Sequence, residues 1–236
     1  MKVQDSKVAP RIYLVHAGAV SVEPSQSSFK RLWPDARATH LLDESLAPDL
    51  ISLGGDSSLM ADRFCALSDY CALAGAKAIL FTCSAFGKAI DQVRRKGSIP
   101  VLAPYEALFE DICDMGGRTA LFTTFPASLP AMLEELRGLA KKRGVGLDVQ
   151  AHHVEGAFDV LLSGDREKHD QLIAERVASL SGRYQNIVLG QFSMSSALAL
   201  AQEKADAPVL TTPDSAVRRL QQLLLGRHDP QLAQKS

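Results

Sequence analysis

Apolar positions along this chain fall into two recurring patterns: short unbroken runs, and longer segments with an apolar residue at every third or fourth position. Residues 12–15, 78–81 and 100–102 are runs of the kind that parallel strands buried on both faces show, with 39–42 a shorter candidate between them. Segments 57–73 and 85–95 carry the three- and four-residue spacing of amphipathic helices. The pattern then returns, with strands predicted over 120–124, 147–151, 186–190 and 209–211. Helices are predicted near 129–143, 167–180 and 195–204. Terminal signals agree: Asp165 suits an N-cap, and Pro130 stands near the start of a helix that Gly144 ends.

The two halves are related by a repeat. Arg11-Ile-Tyr-Leu-Val-His-Ala-Gly has its counterpart in Arg118-Thr-Ala-Leu-Phe-Thr-Thr-Phe, Ala78-Ile-Leu-Phe-Thr-Cys in Asn186-Ile-Val-Leu-Gly-Gln, and Ile99-Pro-Val-Leu-Ala in Ala207-Pro-Val-Leu-Thr. All three matches share an offset of about 107 or 108 residues. The expected architecture is therefore α/β, with two similar doubly wound parallel-sheet lobes over residues 8–115 and 116–225.

Composition adds exclusions. Lys and Arg number 26 against 27 Asp and Glu, a net charge of −1, so no global field draws in a polyanion, and neither nucleic acid nor a membrane is an expected partner. No apolar run nears the ~18 residues of a membrane span, and the N-terminal run at 12–15 is far below a signal sequence, so a cytoplasmic protein is expected. The four cysteines are then thiols, and none has zinc-ligand spacing; Cys65 and Cys71, on a helical pattern, read as core fillers.

Ligands of open parallel sheets bind beyond the carboxyl ends of the strands, which directs attention to 16–19, 82–85, 123–125, 191–195 and 211–214. Cys83 is the principal candidate. It ends a strand in Phe81-Thr-Cys-Ser-Ala-Phe-Gly, and the amides at the start of the next helix are expected to lower its pKa, giving a nucleophile or a carbon-acid base. There is no GxGxxG, no GxxxxGK[ST] and no GxSxG, so no cofactor is expected and the chemistry is what a thiol can do unaided. Thr82, Ser84, Thr123, Thr124, Thr211 and Thr212 are candidate substrate-binding donors through hydroxyls and amides, although threonines also favour strands.

His16 reads either as a second acid–base or carboxylate ligand, or as a hydrogen-bonded core histidine. His169-Asp170 reads as a pair near a helix start, and His152-His153 has no convergent ligands for a metal. Gly54-Gly55-Asp56 is a turn candidate, and the cations at 94–96 and 141–143 suit helix C-termini. Phe86, Phe125 and Phe192 lie near strand ends, as packing residues or as the wall of a pocket for an apolar or aryl group.

The loop TCSAFG, Leu41-Leu-Asp-Glu-Ser-Leu, FTTFPASLP, the segment from Glu155-Gly-Ala-Phe-Asp-Val through Ser163-Gly-Asp to His169-Asp170, and LGQFSM together resemble the aspartate/glutamate/hydantoin racemase superfamily over nearly the whole chain. The resemblance implies a cofactor-independent enzyme acting on a small-molecule carboxylate, with its site between the lobes. There, one cysteine from each lobe removes and returns the proton α to the carboxylate. It leaves the oligomeric state open, dimers being common in such proteins.

One position departs from that pattern. The repeat register puts Gln191 where the second lobe would carry the counterpart of Cys83. An amide cannot exchange a proton usefully, so a racemase would draw its second donor from His16, Ser193 or water, Ser193 and Ser195 being poor bases unless activated. A single site cysteine also resembles the arylmalonate decarboxylases, in which one carboxylate leaves and one thiol protonates the resulting enediolate. Their cysteine lies in the second lobe, so with Cys83 in the first the repeat predicts protonation from the opposite face. A third reading is a binding protein that closes on a small acid without chemistry, which an inert Cys83 thiol would favour.

Overall fold

The computed structural model describes residues 9–97 and 99–226. Strands β1 (Arg11–His16), β2 (Arg37–Leu42), β3 (Ala78–Phe81) and β4 (Val101–Leu102) form one parallel sheet in the order β2-β1-β3-β4. Strands β5 (Arg118–Thr123), β6 (Asp148–His153), β7 (Asn186–Leu189) and β8 (Val209–Thr211) form a second in the equivalent order β6-β5-β7-β8. The repeat is thus realised strand for strand. The central strands β3 and β7 are buried throughout, because helices cover both faces of each sheet, whereas the edge strands β2 and β6 stay partly exposed and more polar.

In the first sheet, Tyr13, Val15, Ile79 and Phe81 face α2 (Leu46–Ser52), α3 (Ala61–Leu73) and α4 (Gly87–Lys96), through Leu46, Phe64 and Ile90. On the other face, Ile12, Leu14 and Leu80 meet Phe29 of α1 (Val22–Leu32) and Val217 and Leu220 of α10 (Thr212–Leu225). The second sheet packs Ala120, Phe122 and Leu189 against α7 (Ala157–Leu162), α8 (Arg166–Ala178) and α9 (Leu198–Lys204). Its opposite face, with Leu121 and Val188, takes α5 (Glu106–Met115) and α6 (Leu129–Arg143).

The lobes therefore exchange helices. The helix after the first lobe's last strand covers the second sheet, and the helix after the second lobe's last strand covers the first. Asp214, at the start of α10, fastens this exchange by accepting from Ser28 Oγ (2.7 Å) and Arg31 Nη2 (2.5 Å) of α1. Asp165 caps α8 through the Lys168 amide, and Gly144 ends α6 in the left-handed region, as the sequence signals predict. Gly54 and Gly55, at φ 68° and 81°, supply the turn expected there. Among the described residues no helix is long and apolar enough to cross a membrane.

Candidate active site

The repeat continues to the last ladder bond before each strand end. Thr82 N donates to Val15 O (3.1 Å) in the first lobe, and Gly190 N donates to Phe122 O (2.9 Å) at the equivalent place in the second. The residue after each of these donors is Cys83 in one lobe and Gln191 in the other, so the two occupy equivalent strand-end positions.

Cys83 is held by aromatic packing on either side of its loop. Phe81 precedes it, Phe86 follows it, and both rings pack on Phe64 of α3, with centroids 5.1 and 4.9 Å from it. Each such buried side chain contributes about 1.5–3 kcal/mol, enough to fix the intervening four residues. The thiol is partly exposed and borders an apolar recess of Val15, Ala17 and Leu46.

The electrostatic expectation needs correction. The Ala85 amide does bond the sulfur and favours the thiolate, but loss of hydration among apolar side chains is the larger effect and pushes the Cys83 pKa up. At neutral pH the resting group is a thiol, an acid rather than a base.

Gln191 is bound on one side only. Its Oε1 accepts from Thr124 N (2.7 Å), Thr124 Oγ1 (2.9 Å), Thr123 Oγ1 (3.0 Å) and Phe125 N (3.3 Å). The two threonines expected to meet substrate therefore form, with the Phe125 amide, a nest around a side chain of the same lobe. Gly190 permits this approach: a Cβ there would lie 2.8–2.9 Å from Met132 Cε, Leu121 Cδ1 and the Phe122 carbonyl.

His16 and Thr82 lie on the other face of the first sheet from Cys83, since alternate strand residues point opposite ways. His16 Nδ1 is 2.8 Å from Ser21 Oγ and 2.9 Å from Thr82 Oγ1, its Nε2 is 2.9 Å from His40 Nδ1, and His40 Nε2 reaches Gln26 Oε1 at 2.8 Å. Burial, reinforced by the neighbouring His40, lowers the His16 pKa to about 3, so the ring is neutral. The hydrogen-bonded core reading describes its surroundings.

Other candidates have structural partners. Thr211 Oγ1 accepts from the Asp214 amide (3.4 Å) as the N-cap of α10, and Thr212 Oγ1 donates to Leu189 O (3.2 Å); both are fully buried. Phe192 packs with Leu14, Leu80 and Ala216, and Phe86 belongs to the first core, while Phe125 is exposed beside Phe158. Ser193 is nearly buried with no hydroxyl bond among the described residues, and Ser195 is partly buried. His152 meets Tyr184 Oη (2.8 Å) and His153 the Thr124 carbonyl (3.3 Å). His169 Nδ1 bonds Asp170 Oδ1 (2.7 Å), which also accepts from Ser196 Oγ (2.7 Å).

Ser84 leads to a residue that the sequence reading passed over. Its Oγ accepts from Tyr105 Oη (3.1 Å), whose phenol is pushed up to about 12 by burial and by the nearby Cys83 and Glu135 groups. Tyr105 follows β4, so its strand-end position was the available signal. A groove of about 570 Å³ opens beside Ser84, walled by Lys88 and Arg94 of α4 and by Glu135 and Lys142 of α6. Glu135 is pushed up by desolvation and by Asp91.

Comparison with known proteins decides the family. The family model for Asp/Glu/hydantoin racemases matches residues 25–220. The chain belongs to this racemase family. No curated protein matches it. Among solved structures, allantoin racemase from Klebsiella pneumoniae is 17% identical with a TM-score of 0.67, the match covering 95% of this chain and 93% of that one. Picrophilus torridus aspartate racemase is 12% identical with a TM-score of 0.70, covering 95% and 98%. Glutamate racemase from Francisella tularensis subsp. tularensis SCHU S4, in complex with D-glutamate, is 16% identical with a TM-score of 0.65, covering 93% and 81%. At these identities the structures support the two-lobed fold of this racemase-family chain, and its departures from a two-thiol site must be read from its own residues.

Proposed function

We propose that this protein catalyses cofactor-independent proton transfer at the carbon α to a carboxylate, with Cys83 carrying the proton and the site lying between lobes 8–115 and 116–225. The observation behind this reading is the pairing of equivalent strand ends: a thiol that accepts an amide hydrogen bond in one lobe, and a glutamine with no exchangeable acid in the other. The site is chemically one-sided. Once the Cys83 thiol has lost its proton to water, the thiolate takes the proton of a Cα–H substrate, leaving an enediolate. When the same sulfur returns a proton to the same face, the starting enantiomer is regenerated and the net event is hydrogen exchange alone. Inversion needs a second donor on the far face, and His16, neutral and on the opposite side of its sheet, is poorly suited to supply it.

A second reading is favoured by the raised thiol pKa. With a substituted malonate, the Cα–carboxylate bond breaks, its electron pair stays on Cα as the enediolate, and CO₂ leaves. The resting Cys83 S–H supplies the proton, and water restores the thiol. This route starts from the protonation state that dominates at neutral pH.

Incubation in D₂O with D- and L-aspartate, D- and L-glutamate, 5-substituted hydantoins and 2-phenylmalonate separates the two. Deuterium at Cα with loss of configuration and no CO₂ supports a racemase that draws on a second donor, deuterium with configuration retained supports exchange at Cys83 alone, and CO₂ release with a monodeuterated acid supports decarboxylation. Ligand-induced thermal shifts with no turnover on any probe would instead identify a small-acid binding protein.

A further inference from the structure

The nest around Gln191 fixes which end of its amide faces outward. Two of its four donors are the main-chain N–H groups of Thr124 and Phe125, which can only donate, so the atom they meet is oxygen and the NH₂ is the free end. Nε2 makes no hydrogen bond among the described residues, yet it is not a buried orphan: the buried side-chain polar atoms left unpaired are His169 Nε2 and Ser215 Oγ. The NH₂ therefore stands open at the carboxyl end of the second sheet, at the repeat position of Cys83.

Three physical consequences follow from that geometry. Bonds to the carbonyl draw electron density from the nitrogen and strengthen its N–H groups as donors, as chained hydrogen bonds do. A glutamine held at its far end has little rotamer freedom left to lose on meeting a ligand. The nest itself is filled, so it is not a vacant anion site; what it offers a ligand is the unpaired, accessible NH₂.

We propose that Gln191 is a pre-organised hydrogen-bond donor to the carboxylate oxygen on which charge grows as the enediolate forms. It would stand where a two-thiol site would hold its second acid. The inference rests on the one-thiol reading above and adds the group that stabilises the intermediate. Removal of one such donor costs about 10²–10³ in kcat.

Gln191→Glu and Gln191→Met test it, with the probe acids above, pH profiles and thermal melts. The carboxylate of Gln191→Glu can still accept from the nest, but its outward oxygen repels the substrate. Turnover is expected to fall about 100-fold or more at pH 7–8, with Tm held within a few degrees. As pH falls and that carboxyl protonates, it becomes a donor again, so activity relative to wild type rises. Gln191→Met, which cannot donate at any pH, stays slow throughout. A purely structural role predicts no such acid rescue. Turnover of either variant within threefold of wild type at neutral pH, or equal pH profiles for both variants, overturns the inference while leaving the role of Cys83 intact. Absence of Cys83-dependent turnover in the wild-type protein on every probe overturns the reading beneath it.

Discussion

Gln191 Oε1 lies 2.7 Å from the Thr124 main-chain nitrogen, at the position that the internal repeat makes equivalent to the thiol of Cys83. One lobe thus ends its central strand in a group that can move a proton, and the other in one that can only hold hydrogen bonds.

Cys83 is small and only partly exposed, and it stands at the edge of the first core rather than inside it. Cys83→Ala should abolish turnover while costing about 1 kcal/mol of stability, a fall in Tm of a few degrees. Activity assay and melting curve are read on the same preparation. Retained turnover would remove the proposed chemistry.

The raised pKa of Cys83 predicts slow alkylation at neutral pH, accelerating only above the ordinary thiol range. The difference in iodoacetamide labelling rate between wild type and Cys83→Ala isolates this thiol from Cys65, Cys71 and Cys113. A difference titrating near pH 7 would mean that the helix-start amides outweigh desolvation.

Gly190→Ala should destabilise the protein by about 1–3 kcal/mol, because one of the close approaches is to the Phe122 carbonyl, which cannot turn aside. Moving the end of β7 also draws Gln191 from its nest. Chemical denaturation and turnover should therefore both respond, the latter by more than the stability loss alone explains.

Acid stability should show His16. Its pKa is lowered from 6.5 in the unfolded chain to about 3 in the fold, so its contribution is complete above 6.5 and is lost as pH falls from there towards 3. The expected slope approaches ~1.4 kcal/mol per pH unit, one proton taken up on unfolding. The lowered pKa of His40 steepens the same limb. His16→Asn should flatten it in denaturant melts between pH 6.5 and 4.

The strands were legible because a parallel sheet covered on both faces needs unbroken apolar runs, and 78–81 and 187–189 are such runs. Helices α1, α2, α5, α7 and α10 were not; in α1 the buried face includes Ser25 and Ser28. Their hydroxyls are satisfied by the Ser21 carbonyl and by Asp214, partners no periodicity reveals. The exchange of α5 and α10 was hidden for a related reason: a repeat offset says which segments are alike, not which sheet each covers. At the proposed site, sequence position pointed to Cys83 and to Gln191 at its repeat equivalent. It could not weigh one amide hydrogen bond against desolvation of the thiol, nor show that Thr123 and Thr124 turn towards Gln191.

The most direct measurement of the one-sided site is the configuration of the product formed in D₂O. A single-enantiomer probe that undergoes Cα exchange should become deuterated with its configuration retained, and 2-phenylmalonate should give one enantiomer of the monodeuterated acid. Both reactions should be lost in Cys83→Ala. Racemic deuterated product released by the wild-type enzyme at early turnover would contradict the account, because it requires a second proton donor on the face opposite Cys83.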